Sequence, residues 1–167
     1  MNNQDRKGIT QKLSFLVAKR LRSKTPYWAD EVLTRAVPSQ NMANRVDFMA
    51  YYPDWKTKSG AMVANRGAFE FYEVKSSMKD FKSGNGLNLE GDYNYLVCPK
   101  ELAQKLYENQ ELPNYCTVLC PDSKYQRLIK TYDTRWGGYF NTRQCTTEEL
   151  LLCLLMRIRH RNEYKEN

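Results

Sequence analysis

Histidine is almost absent from this sequence, which has one, His160, in 167 residues. It lies among arginines near the C-terminal end, where we expect a solvated residue at the end of a helix. Hydrolases with a Ser-His-Asp type of triad need a histidine beside the nucleophile and a third group to orient it. The composition therefore gives no support to histidine-based nucleophilic catalysis.

Long apolar segments are also missing. The most apolar run, LLLCLLM at 150–156, is much shorter than the roughly 20 residues that span a membrane, and arginines follow it. The N-terminal segment MNNQDRKGITQKL lacks the apolar core of a signal peptide. We therefore expect a cytoplasmic protein with no membrane partner, folded as a single domain over residues 1–167.

Cysteine pairs with metal-binding spacing are absent as well. The five cysteines include no CxxC pair, which favours reduced, partly buried thiols over disulfides. Cys116 and Cys120 lie four residues apart on a predicted strand, which separates their sulfurs by about 13 Å and prevents them from sharing one zinc ion. We expect the thiols to be structural.

Positive charge, by contrast, is in excess. The chain has 26 lysines and arginines against 19 aspartates and glutamates, a net charge of +7 and a pI near 9.1. A surplus of this kind favours an anionic polymer as partner. The charge alone therefore indicates a class of partner, an anionic polymer, and no particular one.

Hydrophobic periodicity predicts an α/β protein. Helices are indicated over 9–23, from Pro99 onward, and after the capping box of Thr146 and Glu149. Strands are predicted at 30–37, 45–52, 68–76, 91–98 and 114–121, with turn-rich connections at 38–44 and 53–67. This order predicts a central mixed sheet flanked by helices.

Two of these strands carry charged residues among their apolar ones. Asp47 lies in RVDFMAYY, and Glu73 and Lys75 lie two apart in FEFYEVKSS, so the latter two project from one face of the strand. If the strands pair as a hairpin, Asp47 comes opposite that face. Two converging carboxylates need a cation, and oxygen ligands suit Mg²⁺ or Mn²⁺. A lysine nearby can steady the attacking nucleophile or neutralise charge on a phosphate in the transition state.

This arrangement resembles the D…(D/E)xK signature of the PD-(D/E)xK nuclease superfamily, which has the restriction-endonuclease-like fold. EVKSSMKDF at 73–81 resembles the ExKSSxxDF run of small MmcB-like DNA-repair nucleases, and GDYNYLVCPKEL at 91–102 resembles their later strand leading into a helix. The order of elements is also similar over roughly residues 9–160. The chain departs from these nucleases at 82–91, where KSGNGLNLEG replaces their Asp-x-Lys-Trp run.

The resemblance implies roles for particular residues. Asp47 and Glu73 would bind Mg²⁺ or Mn²⁺, the Val74 carbonyl would complete the metal's shell, and Lys75 would be the catalytic lysine. Glu31, on the preceding strand, matches more loosely an additional acid of many such nucleases. The implied activity is metal-dependent hydrolysis of DNA phosphodiester bonds, as endonuclease or exonuclease, in DNA repair, recombination or phage DNA metabolism.

Residues near the signature are expected to contact DNA. Lys79 and Lys82 follow it directly and are placed to meet phosphates, and Arg45 and Asn88 complete the expected DNA-binding set. The sequence leaves open which form of DNA is bound and whether the protein is a monomer or a homodimer.

A second interpretation belongs to a different functional class. The chain also fits a catalytically silent, nuclease-fold module of a mobile element that binds DNA or protein. The presence of all three signature residues favours catalysis.

Overall fold

The computed structural model describes residues 3–34, 45–53, 67–83, 87–135 and 143–160. The predicted turn at 38–44, the end of the first predicted strand at 35–37 and most of the connection at 53–67 lie outside these ranges. In chain order, the described elements are α1 (Asn3–Arg22), β1 (Trp28–Leu33), β2 (Arg45–Tyr52), β3 (Ala68–Val74), α2 (Met78–Lys82), β4 (Tyr93–Val97), α3 (Lys100–Glu108), β5 (Thr117–Pro121), β6 (Leu128–Asp133) and α4 (Thr147–Ile158).

The six strands form one mixed sheet in the order β1-β2-β3-β4-β5-β6. Neighbours are antiparallel from β1 to β3, parallel from β3 to β5, and antiparallel again between β5 and β6. Helices connect the parallel strands, which need a crossover because they cannot be joined by a tight turn. The expected α/β architecture, a mixed sheet flanked by helices, is confirmed.

One face of the sheet packs against α1. The apolar stripe of this helix packs against aromatic side chains of the sheet. Along each strand, these side chains alternate with side chains that point to the opposite face. Lys12, Lys19 and Arg22 of the helix stay exposed. The buried layer includes Leu13, Leu16, Val17 and Leu21 from α1 and Trp28, Phe48, Tyr72 and Tyr95 from the sheet.

The other face carries two separate apolar clusters. Residues of α4 cover β1, β2 and part of β3, and Phe71 belongs to this cluster. Residues of α3 cover β4 and β5, and Leu96 belongs to that cluster. Glu73 follows Phe71 by two residues and pairs with Leu96 in the β3–β4 register, so it lies at the boundary between the clusters. Glu73 is thus placed where the two apolar layers meet.

The last helix is fixed at both ends. Thr146 and Glu149 form the predicted capping box at its start. At its end, Arg157 Nε donates to the Asp30 carbonyl oxygen at 2.8 Å, and Arg157 Nη2 lies 3.6 Å from the Asp30 carboxylate. These contacts hold α4 firmly on β1.

The structure differs from the sequence prediction at several boundaries. β6 has no counterpart among the predicted strands, because Leu128 is its one buried residue and the alternation is too weak to detect. β1 begins at Trp28, two residues before the predicted start, and β5 begins at Thr117, three residues after it. The short helix α2 was also not predicted. Within the described ranges, no helix combines the length and apolar character needed to cross a membrane.

Candidate active site

The candidate site begins where β2 and β3 stop pairing through their backbones. The antiparallel register pairs Phe48 with Tyr72, and its continuation by one residue brings Asp47 opposite Glu73. At this point the Val74 amide donates to Asp47 Oδ2 at 2.7 Å instead of to a backbone carbonyl. The predicted approach of Asp47 to the Glu73 strand is therefore seen in the structure.

Glu73 is fully buried and lies beside the Asp47 carboxyl. The Asn88 amide donates to Glu73 Oε1 at 3.1 Å, whereas Glu73 Oε2 meets no hydrogen-bond donor among the described residues. Burial and the nearby charge of Asp47 raise the pKa of Glu73 to about 10. Burial likewise raises the pKa of Asp47, although the Val74 amide and the charge of Lys75 partly offset this. The two carboxyls are close enough to share one proton in a hydrogen bond.

Lys75 lies beyond the end of β3 and is almost fully buried. Its backbone amide donates to the Val97 carbonyl oxygen at 2.9 Å, which extends the β3–β4 ladder by one residue. Its positive charge lowers the pKa of both carboxyls, against the larger effect of burial. The strand thus holds a cationic side chain next to two carboxyl groups.

The residues that follow Lys75 fix the chain by side-chain hydrogen bonds. Asp80 Oδ2 accepts from the Ser76 amide at 2.9 Å and from the Ser76 hydroxyl at 3.2 Å. Ser77 caps α2, because its hydroxyl accepts from the Asp80 amide at 3.2 Å. Phe81 packs into the α3 cluster. The SSxxDF run therefore has a structural role, because its side chains hold the turn that directly follows Lys75.

Asn88, one of the expected DNA-contacting residues, is buried beside Glu73. It is 8% exposed. Its side-chain amide donates to Thr34 Oγ1 at 3.1 Å, and its backbone amide donates to Glu73 Oε1. Its Oδ1 is buried and meets no donor among the described residues. This placement favours a role in orienting Glu73 over direct contact with DNA. No sequence pattern predicts the contact between Asn88 and Glu73.

Glu31 lies opposite Asp47, at the one position skipped between the Asp30–Phe48 and Val32–Val46 pairs of the β1–β2 register. Its φ of 51° is in the left-handed region that residues with a side chain seldom adopt, so the strand is locally strained there. Glu31 Oε2 lies 2.7 Å from Arg45 Nη1, an ion-pair distance, but the angles of this contact do not make a hydrogen bond. Burial nevertheless raises the pKa of Glu31, and the Asp47 charge adds to this. Glu31 is thus near the site, with its charge partly neutralised.

The other expected DNA-contacting residues are at the surface. Lys79 is exposed, and Lys82 is exposed but paired with Glu111 at 3.0 Å. Arg45 is exposed and paired with Glu31. Lys79 and Lys82 belong to α2, which follows Lys75 after two residues.

The donor set fits an oxygen-ligated divalent cation. Asp47 and Glu73 provide two carboxyls, and the buried Glu73 and Asn88 oxygens that face no described donor are acceptors of the kind that Mg²⁺ and Mn²⁺ bind. Among the described residues, no three carboxylate, thiol or imidazole groups converge closely enough to form a complete metal cluster. Water and phosphate oxygens commonly fill the remaining positions around Mg²⁺.

A second buried glutamate lies on the opposite face of β3. Glu70 accepts hydrogen bonds from the hydroxyls of Tyr72 at 2.5 Å, Tyr52 at 3.0 Å and Tyr95 at 3.1 Å. Lys24 Nζ lies 3.8 Å from the same carboxylate. Burial, followed by the charge of Glu70, raises the pKa of all three tyrosines well above its ordinary value. Both oxygens of the Glu70 carboxylate therefore accept hydrogen bonds from side chains, whereas Glu73 Oε2 meets no donor among the described residues.

Comparisons with family models and with curated proteins give no match. Among solved structures, the fold is similar to that of SPO1766, a protein of unknown function from Silicibacter pomeroyi. The TM-score is 0.54 at 20% sequence identity, and the match covers 89% of this chain and 84% of that chain. At this identity the likeness concerns the fold, and it agrees with a mixed sheet flanked by helices.

Proposed function

We propose that the protein is a metal-dependent nuclease with a restriction-endonuclease-like fold, which hydrolyses phosphodiester bonds of DNA. The observation that carries the proposal is the meeting of the Asp47 and Glu73 carboxyls beside Lys75. A buried carboxylate and a partly buried one beside it repel each other unless a proton or a cation is shared between them. A divalent ion meets this need and also uses the Glu73 oxygen that faces no described donor.

Each residue of the site has a distinct proposed role. Asp47 and Glu73 hold Mg²⁺ or Mn²⁺, with the Val74 carbonyl as a further ligand and Glu31 as an outer acid. The bound ion supplies Lewis-acid activation of water and of the scissile phosphate. Lys75 brings its positive charge to the negative charge that develops on the phosphate.

The surrounding contacts support these roles by limiting movement. Lys75 is fixed through its backbone to β4 and through the Ser76–Asp80 hydrogen bonds that close the next turn. Glu73 is oriented by the Asn88 amide, and Asp47 by the Val74 amide. A catalytic arrangement held in this way loses little conformational freedom when substrate binds.

DNA is the proposed substrate because the signature resembles that of DNA nucleases, and the charge of the chain supports this choice. The chain has a net charge of +7, and the exposed Lys79 and Lys82 lie on the helix that follows Lys75. A basic surface beside a metal site attracts phosphates and fixes the backbone of a nucleic acid. The proposed setting in DNA repair, recombination or phage DNA metabolism follows from the sequence resemblance alone.

The test is an incubation with end-labelled single-stranded, duplex and branched DNA in Mg²⁺ or Mn²⁺, with EDTA as the control. Metal-dependent cleavage of at least one form is expected, with loss in Asp47→Ala and Glu73→Ala. Lys12→Ala, on the exposed side of α1, is a matched control that should cleave normally. Binding of DNA without cleavage under all conditions would instead support the catalytically silent module.

A further inference from the structure

The outward side of α4 carries an apolar patch. The inward side of this helix packs on β1 and β2. On the outward side, Leu152, Leu155 and Met156 are 51%, 62% and 66% exposed. They lie at positions i, i+3 and i+4 of the helix and therefore form one continuous surface. Apolar surface gathered in this way marks a site of association more often than isolated exposed leucines do.

Opposite charges border the patch at its two ends. Glu148 precedes Leu152 by four residues, Arg159 follows Leu155 by four, and both charged residues are exposed. Positions 148, 152, 155 and 159 thus follow one another at intervals of four, three and four residues, which is the spacing of a coiled-coil seam. Glu148 and Arg159 are also equally distant from the centre of the seam. When two copies of this surface face each other in antiparallel orientation, each Glu148 therefore lies opposite an Arg159.

We propose that α4 is a dimerisation helix and that its partner is the α4 of a second copy of this chain, packed antiparallel about a two-fold axis. Leu152 then packs on Leu155 of the second copy, and Glu148 faces Arg159 of the second copy. Because the axis is two-fold, each contact occurs twice. The central leucines exclude water, and the charges at either end set the direction of packing.

The charges distinguish this arrangement from the parallel one. A parallel pair would place Glu148 against Glu148 and Arg159 against Arg159, and like charges that face each other between helices are unfavourable. The antiparallel pair also sets the negative C-terminal end of each helix dipole beside the positive N-terminal end of the other. An unrelated partner would not require the seam to have this symmetry.

Among the described residues, the end of α4 is arranged so that the patch faces outward. Arg157 is turned toward the sheet by its bonds to Asp30, so the outward face of the last turn is left to Met156 and Arg159. A pair of short helices buries less surface than the roughly 1,200–2,000 Å² of stable interfaces. We therefore expect a weak dimer, with a Kd on the order of tens of micromolar.

Sedimentation velocity over a concentration series from low to high micromolar tests the proposal. The wild type should pass from monomer to dimer, and Leu155→Lys should stay monomeric at every concentration. Ile129→Lys is the matched control, because Ile129 is an exposed apolar residue on β6, 42% exposed, and its replacement should leave the dimer intact. Circular dichroism of each variant checks that the fold is retained.

Charge reversal tests the direction of packing. Glu148→Lys and Arg159→Glu should each raise the Kd by roughly three- to tenfold, because each reversal makes two repulsive contacts in the dimer. The double variant restores opposite charges and should return the Kd toward the wild-type value. A wild type that is monomeric throughout, a Leu155→Lys dimer, or a double variant weaker than either single variant would overturn the proposal. The inference does not depend on the proposed nuclease activity, which these variants leave untouched.

Discussion

The Val74 amide donates a hydrogen bond to Asp47 Oδ2 at 2.7 Å, just beyond the last backbone pair of the β2–β3 register. A side-chain carboxylate here replaces the backbone carbonyl that would otherwise accept this bond. The ladder can therefore end without leaving a buried amide unpaired. The same contact holds Asp47 beside Glu73, so the pairing that builds the sheet also positions the two carboxyls.

Divalent metal is expected to raise the melting temperature of the protein. Mg²⁺ or Mn²⁺ binds the folded site and relieves the repulsion between Asp47 and Glu73, which stabilises the folded state. Asp47→Asn should remove the response, measured by differential scanning fluorimetry against EDTA. Glu31→Gln should weaken it less, because Arg45 already lies 2.7 Å from the Glu31 carboxylate. A wild-type melting temperature that is unchanged at saturating Mn²⁺ would contradict this prediction.

Metal-free protein should lose stability as the pH rises. The folded-state pKa of Glu73 is raised to about 10 from an ordinary value of 4.5. Between these values the folded protein keeps a proton that the unfolded chain has released, so the free energy of unfolding falls with increasing pH. Urea denaturation in EDTA at a mildly acidic and a mildly alkaline pH measures this slope. Glu73→Gln cannot titrate and should show a flatter dependence, whereas identical slopes in the two proteins would count against the paired carboxyls.

The two buried glutamates of β3 should respond in opposite ways to substitution. Glu70→Ala leaves three tyrosine hydroxyls without their acceptor and should destabilise the protein by roughly 3 kcal/mol while preserving the metal response. Glu73→Gln should retain the fold and lose the metal response. Thermal denaturation with and without Mn²⁺ separates the two effects. A Glu70→Ala protein that is folded but insensitive to metal would show that Glu70 belongs to the functional site.

DNA affinity should fall steeply with salt, because lysine contacts to phosphates release counterions. Lys79→Ala is expected to lower the slope of log K against log salt by about 1, as one phosphate contact is lost. Lys82→Ala should have a smaller effect, since this lysine is paired with Glu111. Fluorescence anisotropy with labelled DNA in EDTA gives these slopes, with Lys12→Ala as the control. Equal slopes for wild type and Lys79→Ala would exclude Lys79 from the binding surface.

Much of the fold could be predicted because its central strands are short, mostly apolar runs that are buried on both faces and bounded by turn residues. β2 was predicted with its observed bounds, and the capping box located the start of α4. β6 has no counterpart in the sequence prediction because only one of its six residues is buried, so alternation carries little information. β1 begins two residues before the predicted start, because the buried Trp28 and Ala29 also belong to the strand.

The core of the candidate site could also be inferred from sequence. Glu73 and Lys75 share a face because a strand has a period of two residues. Pairing of the two strands as a hairpin then predicts that Asp47 lies opposite this face. The contact of Asn88 with Glu73 could not be predicted, because it is made by a backbone amide that any residue provides. Glu70 was overlooked because its partners come from four separate parts of the chain.

The most direct test of the proposed activity compares wild type with Lys75→Met in single-turnover cleavage of labelled DNA at saturating Mn²⁺. Binding of Mn²⁺ to each protein, followed by electron paramagnetic resonance, shows whether the metal site is intact. The account predicts that Lys75→Met still binds Mn²⁺ through Asp47 and Glu73 but cleaves at least a hundredfold more slowly, on the order of the loss when one transition-state charge contact is removed. Cleavage by Lys75→Met at the wild-type rate, or a wild type that binds neither Mn²⁺ nor DNA, would contradict it.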